Sequence, residues 1–381
     1  MYLDTAATTP VRREVLEAMW PYLAGGTDGV FGNPSSRHET GRRAAEALAA
    51  ARETAARALG CRPAELLFTS GGTEGDNLVV KGVVLASPRG RHLVTTAIEH
   101  EAVLESARYL ERVHGAEVTV LPVDAEGRVD PERFAAALRE DTALATVQHA
   151  SNEIGTIQPI AELAAIAREA GIPFHTDAVQ SAGWLDVGLA ALGVDAVTVS
   201  GHKLGAPKGV GAVAIRGGIP VEPLLHGGGQ ERGRRSGTED VAGAVGLATA
   251  LGLSAPARAT APRVAELRDT VIDGVLAAVP GAVLTGSRAR LPQHASFCFP
   301  GSHGETVLLE LERRGLTCSS GSACAAGRDE PSHVLLALGI APEVAQTAVR
   351  LTFGADADPG DAPAIVAAVR DAVGSVATLR R

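Results

Sequence analysis

Seven short apolar runs punctuate roughly the first two-thirds of the chain: ELLFTS (65–70), HLVTTAIEH (92–100), AEVTVLPV (116–123), TALATVQHA (142–150), IPFHTDAV (172–179), DAVTVSGHK (195–203) and GVGAVAIR (209–216). Each has the length and β-branched content of a buried strand. Between them, GRRAAEALAAARETAARAL (41–59), DPERFAAALRE (130–140) and IAELAAIAREAGI (160–172) carry helical periodicity. Alternation of this kind predicts an α/β fold with a mostly parallel central sheet covered by helices. After about residue 258 the pattern becomes helix, strand, strand, helix, which predicts a smaller C-terminal α/β domain. The expected division is a large domain over 13–257 and a small domain over 1–12 and 258–381. Ligands of such sheets bind beyond the carboxyl ends of the strands. Ser70, His100, Asn152, Asp177 and Ser200, which follow the apolar runs, are therefore the residues to examine.

With 381 residues the chain is long enough for two domains. A net charge of −9 argues against general binding to nucleic acid or to an anionic membrane. The run VAGAVGLATALGLSAPA (241–257) is rich in Ala and Gly and broken by Thr and Ser, so a buried or interface helix is expected rather than a membrane span. The opening MYLDTAATTP has no apolar signal-peptide core. Cys61, Cys298, Cys318 and Cys324 form neither a disulfide framework nor a zinc spacing, so reduced thiols in the cytoplasm and no metal site are expected.

Of 35 basic residues only Lys81, Lys203 and Lys208 are lysines. Where arginine is so strongly used, a retained lysine is a candidate for what a guanidinium cannot do: lose a proton and form a Schiff base. Lys203 lies in TVSGHKLGAPKGVGA (198–212), where a strand delivers Ser200, His202 and Lys203 into a Gly/Pro-rich loop. FTSGGTEGDNLVVKG (68–82) runs from a strand through Gly72 and Thr73 into a helix, as a phosphate-binding turn does, or as a simple turn with Thr73 as its cap. In HTDAVQS (175–181), Asp177 either faces a protonated ring nitrogen or caps the next helix, and Gln180 shares its surroundings. An amine, a ring-facing carboxylate and a phosphate cradle together suggest pyridoxal phosphate (PLP). The arginines of HGGGQERGRRSGTED (226–240) either carry solvated charge or neutralise phosphate or substrate carboxylate at a subunit boundary. Arg350, in the apolar AVRLTFG (348–354), needs a carboxylate partner, supplied by substrate or by the protein.

These segments, with YLDTAATTP, FGNPSSRH, the EH pair at 99–100, SNEIGTIQPI and SSGSAC, resemble the NifS/IscS-like cysteine desulfurases of the class V aminotransferase group, which are fold type I PLP enzymes. The resemblance runs nearly end to end in the family's order. It implies that Lys203 binds the cofactor aldehyde and moves protons, that His100 stacks on the ring, and that Asp177 pairs with its nitrogen and Gln180 with its phenolic oxygen. Gly72, Thr73, Ser200 and His202 would hold the phosphate, and Thr238 the phosphate of the partner subunit in a homodimer. Asn152 and Arg350 would orient the carboxylate of L-cysteine, and Cys324 would take its sulfur as a persulfide, leaving alanine. The sulfur would then pass to an acceptor protein, an iron–sulfur scaffold or a tRNA-thiolation carrier. Two departures stand out: GGTEG has Gly75 where a second Ser is expected, and HASNEIG has Ser151 beside the retained Asn152. The chain ends VATLRR, without the tail that family members often use for scaffold docking, which leaves the acceptor open. A selenocysteine lyase or another class V enzyme with an incidental Cys324 is the neighbouring alternative. A sulfur-carrying protein without catalysis is the more distant one, disfavoured by the joint presence of Lys203, Asp177, His100 and Cys324.

Overall fold

A computed structural model describes residues 1–25, 29–321 and 330–378. Its larger sheet has seven strands: β1 (Leu66–Thr69), β2 (His92–Thr96), β3 (Glu117–Leu121), β4 (Thr142–Thr146), β5 (Phe174–Asp177), β6 (Ala196–Ser200) and β7 (Gly211–Ile215). They lie in the order β1-β7-β6-β5-β4-β2-β3. Each apolar run of the sequence thus holds one strand. From β3 to β6 neighbours are parallel, whereas β7 is antiparallel to both β6 and β1. The reason is local: β6 and β7 are joined by the loop 201–210, which contains no crossover helix, and a parallel return needs a dozen or more residues.

Among the described residues the α-helices are α1 (Arg13–Leu23), α2 (Glu39–Ala58), α3 (Gly72–Ala86), α4 (Glu101–His114), α5 (Pro131–Ala137), α6 (Ile160–Glu169), α7 (Leu189–Leu192), α8 (Val241–Ala257), α9 (Ala261–Ala278), α10 (Gly304–Arg313), α11 (His333–Ala337), α12 (Pro342–Ala345) and α13 (Ala362–Thr378). Strand side chains alternate between two cores. Leu66, Phe68, Ala212 and Ala214 pack with α1, α2, α6 and α8, while Leu67, Val213 and Ile215 pack with α3 and α4. The Ala/Gly-rich run 241–257 is α8, buried against α1 and α2 as expected for an inward helix. Its Gly246 lies where a Cβ would come within 2.6 Å of Met19 Sδ.

The second sheet is antiparallel, β10 (Ala348–Thr352), β9 (His294–Cys298) and β8 (Val283–Leu284), with α9, α10 and α13 completing its own core. Residues 1–9 form a strap between the second sheet and the loop that follows β6. Leu3 N donates to Thr317 O and Leu3 O accepts from Thr352 N, both at 2.8 Å, and Asp4 bridges Thr352 in parallel. The strap then crosses to the end of β6, where Thr9 N donates to His202 O at 2.9 Å.

Candidate functional site

The carboxyl ends of β5 and β6, the first turn of α3 and the strap enclose a cavity of about 330 Å³. Gly72, Thr73, His100, Asn152, Asp177, Gln180, Ser200, His202, Lys203 and Arg350 all contribute to its wall. Ser70, singled out with the other strand-end residues, is exposed and outside it. Thr238 is exposed near the start of α8 and takes no part in the wall formed by its own chain. Cys324 lies outside the described residues.

The turn from β1 into α3 depends on glycine. Gly71 has φ 154° and ψ −175°, a conformation essentially restricted to glycine. At Gly72 a Cβ would stand 2.7 Å from Val179 Cγ2, so the start of α3 is drawn close to the segment that carries Asp177 and Gln180. The helix N-terminus and the exposed Thr73 hydroxyl therefore face the cavity, an arrangement suited to an anion. Gly75 has a different role from the missing serine hydroxyl: it is buried away from the wall, and a Cβ there would meet Thr198 Cγ2 at 2.7 Å and Val213 Cγ2 at 2.8 Å. Its absent side chain lets α3 lie directly on β6 and β7. Glu74 accepts from Ser70 N at 2.7 Å and from Arg235 Nε at 2.9 Å, and Arg232 donates to Pro63 O at 3.1 Å. These two arginines of the 226–240 loop are bound to protein groups.

Asp177 closes β5, and its Oδ1 accepts from Val179 N at 2.8 Å, so it makes a turn contact and lines the cavity at once. Four further acidic residues, Asp76, Glu99, Glu101 and Glu153, share the wall. Burial, with Asp177 next, pushes Asp76 well above the carboxylate range, and burial pushes Glu99 up to about 8. Glu99 accepts from Thr96 Oγ1 at 2.7 Å and from Gln148 N at 3.0 Å. Burial also raises Asp177, opposed by the nearby His100 and Lys203. Behind it, His175 bonds Thr146 Oγ1 at 2.8 Å and Thr198 Oγ1 at 2.9 Å, and burial drives it down to about 3, so it stays neutral beside Asp76. The wall therefore favours neutral Asp76 and Glu99, while His100 and Lys203 oppose the upward shift of Asp177.

His100 is the N-cap of α4, its Nδ1 accepting from Ala102 N at 3.1 Å, which fixes the ring orientation. His202 Nδ1 lies 3.1 Å from Thr8 Oγ1, and burial, then Lys203, lowers it to about 4. Lys203 Nζ donates to Ala6 O at 2.5 Å and Ala7 O at 2.7 Å, and Gln180 Nε2 donates to Ala6 O at 3.0 Å. The strap is thus part of the site, a role sequence reasoning missed because backbone carbonyls supply it.

Arg350, 1% exposed, has the protein partner foreseen as one of its two possibilities: Nη2 pairs with Asp4 Oδ1 at 2.7 Å. Nη1 donates to Asn152 O at 2.8 Å and Gly321 O at 3.1 Å, yet Arg350 still reaches the cavity wall, and among the described residues its Nε has no hydrogen-bond partner. The three described cysteines are held as thiols by burial, Cys61 and Cys318 at about 12 and Cys298 at about 11. Cys318 packs beside the core of the second sheet.

The class-V aminotransferase family model matches residues 1–362. A cysteine desulfurase IscS of Dictyoglomus turgidum is 48% identical over 357 residues, covering 93% of this chain and 89% of that protein. Among solved structures, a NifS-like protein superposes with a TM-score of 0.90 at 35% identity, covering 98% of this chain and 99% of the other. SspA in complex with cysteine gives a TM-score of 0.80 at 36% identity over 92% of this chain and 98% of its own.

Proposed function

This chain belongs to the class-V aminotransferase family, among its cysteine desulfurases, and we propose that it converts L-cysteine to L-alanine and passes the sulfur on as a persulfide on Cys324. The observation that carries the reading is the meeting of Lys203, Asp177, His100, Asn152 and Arg350 in one cavity with the N-terminus of α3.

The cofactor we assign is pyridoxal 5'-phosphate, and the residues present fit it. A Cβ at Gly72 would stand 2.7 Å from Val179 Cγ2, so only glycine lets the start of α3 come this close to the cavity, where Gly72, Thr73, Ser200 and His202 would hold a phosphate. Asp177 is the carboxylate for a protonated ring nitrogen, His100 the ring-stacking group, and Gln180 the partner of the phenolic oxygen. When bound, the cofactor supplies an electron sink for the carbanion at the substrate's α-carbon. Lys203 would hold the aldehyde of the cofactor and would serve as the group that moves the α-proton; its amine is directed by the carbonyls of Ala6 and Ala7. Neutral Asp76 and Glu99 spare Asp177 competition from like charges. Arg350 and Asn152 orient the substrate carboxylate. The Cys324 sulfur bonds to the substrate sulfur as the carbon–sulfur bond breaks, and the carbon left behind takes a proton to become alanine.

We propose a domain division of 13–257 and 1–12 with 258–381, a reading supported by the separate cores of the two sheets. In a homodimer, Thr238 would serve the other subunit's phosphate. The acceptor would be an iron–sulfur scaffold or a tRNA-thiolation carrier in the cytoplasm. The test is release of alanine and sulfide from L-cysteine. The purified protein is expected to be yellow, Lys203→Ala colourless, and Cys324→Ser coloured but unable to release sulfide. A colourless wild type, or undiminished sulfide from Cys324→Ser, overturns the reading.

A further inference from the structure

We infer that Asp4 is a positioning residue for substrate-carboxylate recognition, fixing from outside the cavity the guanidinium of Arg350, which forms part of the cavity wall. The inference rests on the desulfurase reading of the site and adds to it a residue from the strap.

Arg350 and Asn152 line the cavity and Asp4 does not. Asp4 reaches Arg350 Nη2 from the strap, on the side of the second sheet. Both Nη1 donors are directed to main-chain carbonyls, those of Asn152 and Gly321. Nη2 is fixed at 2.7 Å by Asp4, with Ser319 Oγ at 3.4 Å. Nε, on the same edge of the guanidinium as Nη2, has no hydrogen-bond partner among the described residues and is buried. An unmade hydrogen bond on a buried charged group is costly, so Nε keeps a donor that a carboxylate entering the site could satisfy.

The alternative geometry would make Asp4 a placeholder that yields to the substrate. Its backbone argues otherwise. Leu3 O accepts from Thr352 N at 2.8 Å, Thr5 N donates to Thr352 O at 3.4 Å, and Ala6 N donates to Thr352 Oγ1 at 3.0 Å. Asp4 is therefore built into the pairing of the strap with β10, the strand that also carries Arg350. Moving it aside would disturb the carbonyls of Ala6 and Ala7 that hold Lys203. A fixed carboxylate behind the guanidinium removes rotational freedom from the arginine before substrate arrives, which is where preorganisation gains affinity.

The experiment compares two ligands on the cofactor-loaded enzyme by calorimetry: L-alanine, which has the carboxylate, and ethylamine, which lacks it. Asp4→Asn preserves shape and removes the charge. It is expected to weaken L-alanine about tenfold, the scale of one charge-assisted hydrogen bond, while leaving ethylamine unchanged. In turnover, KM for L-cysteine should rise by a similar factor with kcat nearly constant. Equal loss for both ligands would mean a general structural role and overturns the inference. So does unchanged or tighter L-alanine binding, the result expected of a placeholder. A wild type that neither binds L-alanine nor releases it from L-cysteine overturns the desulfurase reading itself and this inference with it.

Discussion

Substituting alanine for Gly75 tests whether the close seat of α3 on the sheet is required. The new Cβ would stand 2.7 Å from Thr198 Cγ2 and 2.8 Å from Val213 Cγ2. Carbon atoms prefer roughly 3.5–4.0 Å, so the helix or the two strands must yield by about 1 Å. Both strands are buried throughout, and Thr198 is held by its bond to His175, so the relief has to come from α3. Overpacking of this kind costs roughly 1–3 kcal/mol, and disturbing the Thr198 hydroxyl adds about 1 kcal/mol. The better helix propensity of alanine returns about 1 kcal/mol. The net expectation for Gly75→Ala is a loss of about 1–3 kcal/mol, read as a lower urea midpoint. Gly374 provides the control: it is an exposed position within α13 where a Cβ meets nothing within 4 Å, so Gly374→Ala is expected to gain the helix propensity alone. If Gly75→Ala is as stable as wild type while Gly374→Ala is stabilised, the packing account of Gly75 fails.

Glu99 gives a pH dependence of definite sign. Burial raises its folded-state pKa to about 8 against 4.5, so its contribution is fully present below about pH 4.5 and is lost as pH rises through 8. Each tenfold difference in proton affinity between folded and unfolded chains is worth about 1.4 kcal/mol, so the effect amounts to several kcal/mol. Urea midpoints between about pH 6 and 9 should fall for wild type relative to Glu99→Gln, and parallel curves would refute the assignment. Elsewhere, Arg52 Nη1 and Nη2 each lie 2.7 Å from a carboxylate oxygen of Glu231, and its guanidinium lies 5.0 Å from the Phe68 ring centre. Glu231→Gln should destabilise by about 3 kcal/mol through the stranded guanidinium. A urea-derived loss below about 1 kcal/mol would contradict that.

The strands were legible because buried β-branched runs have few other uses. The direction of β7 was not, since GVGAVAIR reads like its neighbours and only the connection 201–210 distinguishes it. Side chains with their own chemistry, such as Lys203, Asp177 and Arg350, could be marked from the sequence. Groups whose role depends on place could not. Asp76 in TEGDN reads as an ordinary helical aspartate until α3 is laid against the sheet, and Glu99 is overshadowed by His100 beside it. Gly75 looks like a lost hydroxyl because its spatial neighbours, Thr198 and Val213, lie more than a hundred residues away in the chain. Ala6 and Ala7 contribute only carbonyls, and no side chain announces a carbonyl.

The strap also sets an order of assembly during synthesis. Asp4 and Ala6 find their partners Arg350 and Thr352 at a separation of 346 residues. At about 5–20 residues per second, the early segment waits roughly 20–70 s on the ribosome before β10 has been made. The larger sheet can form around Lys203 in that interval. The carbonyls that direct its amine gain their anchor on β10 only at the end, so the nascent chain acquires a finished sheet before it acquires a finished site.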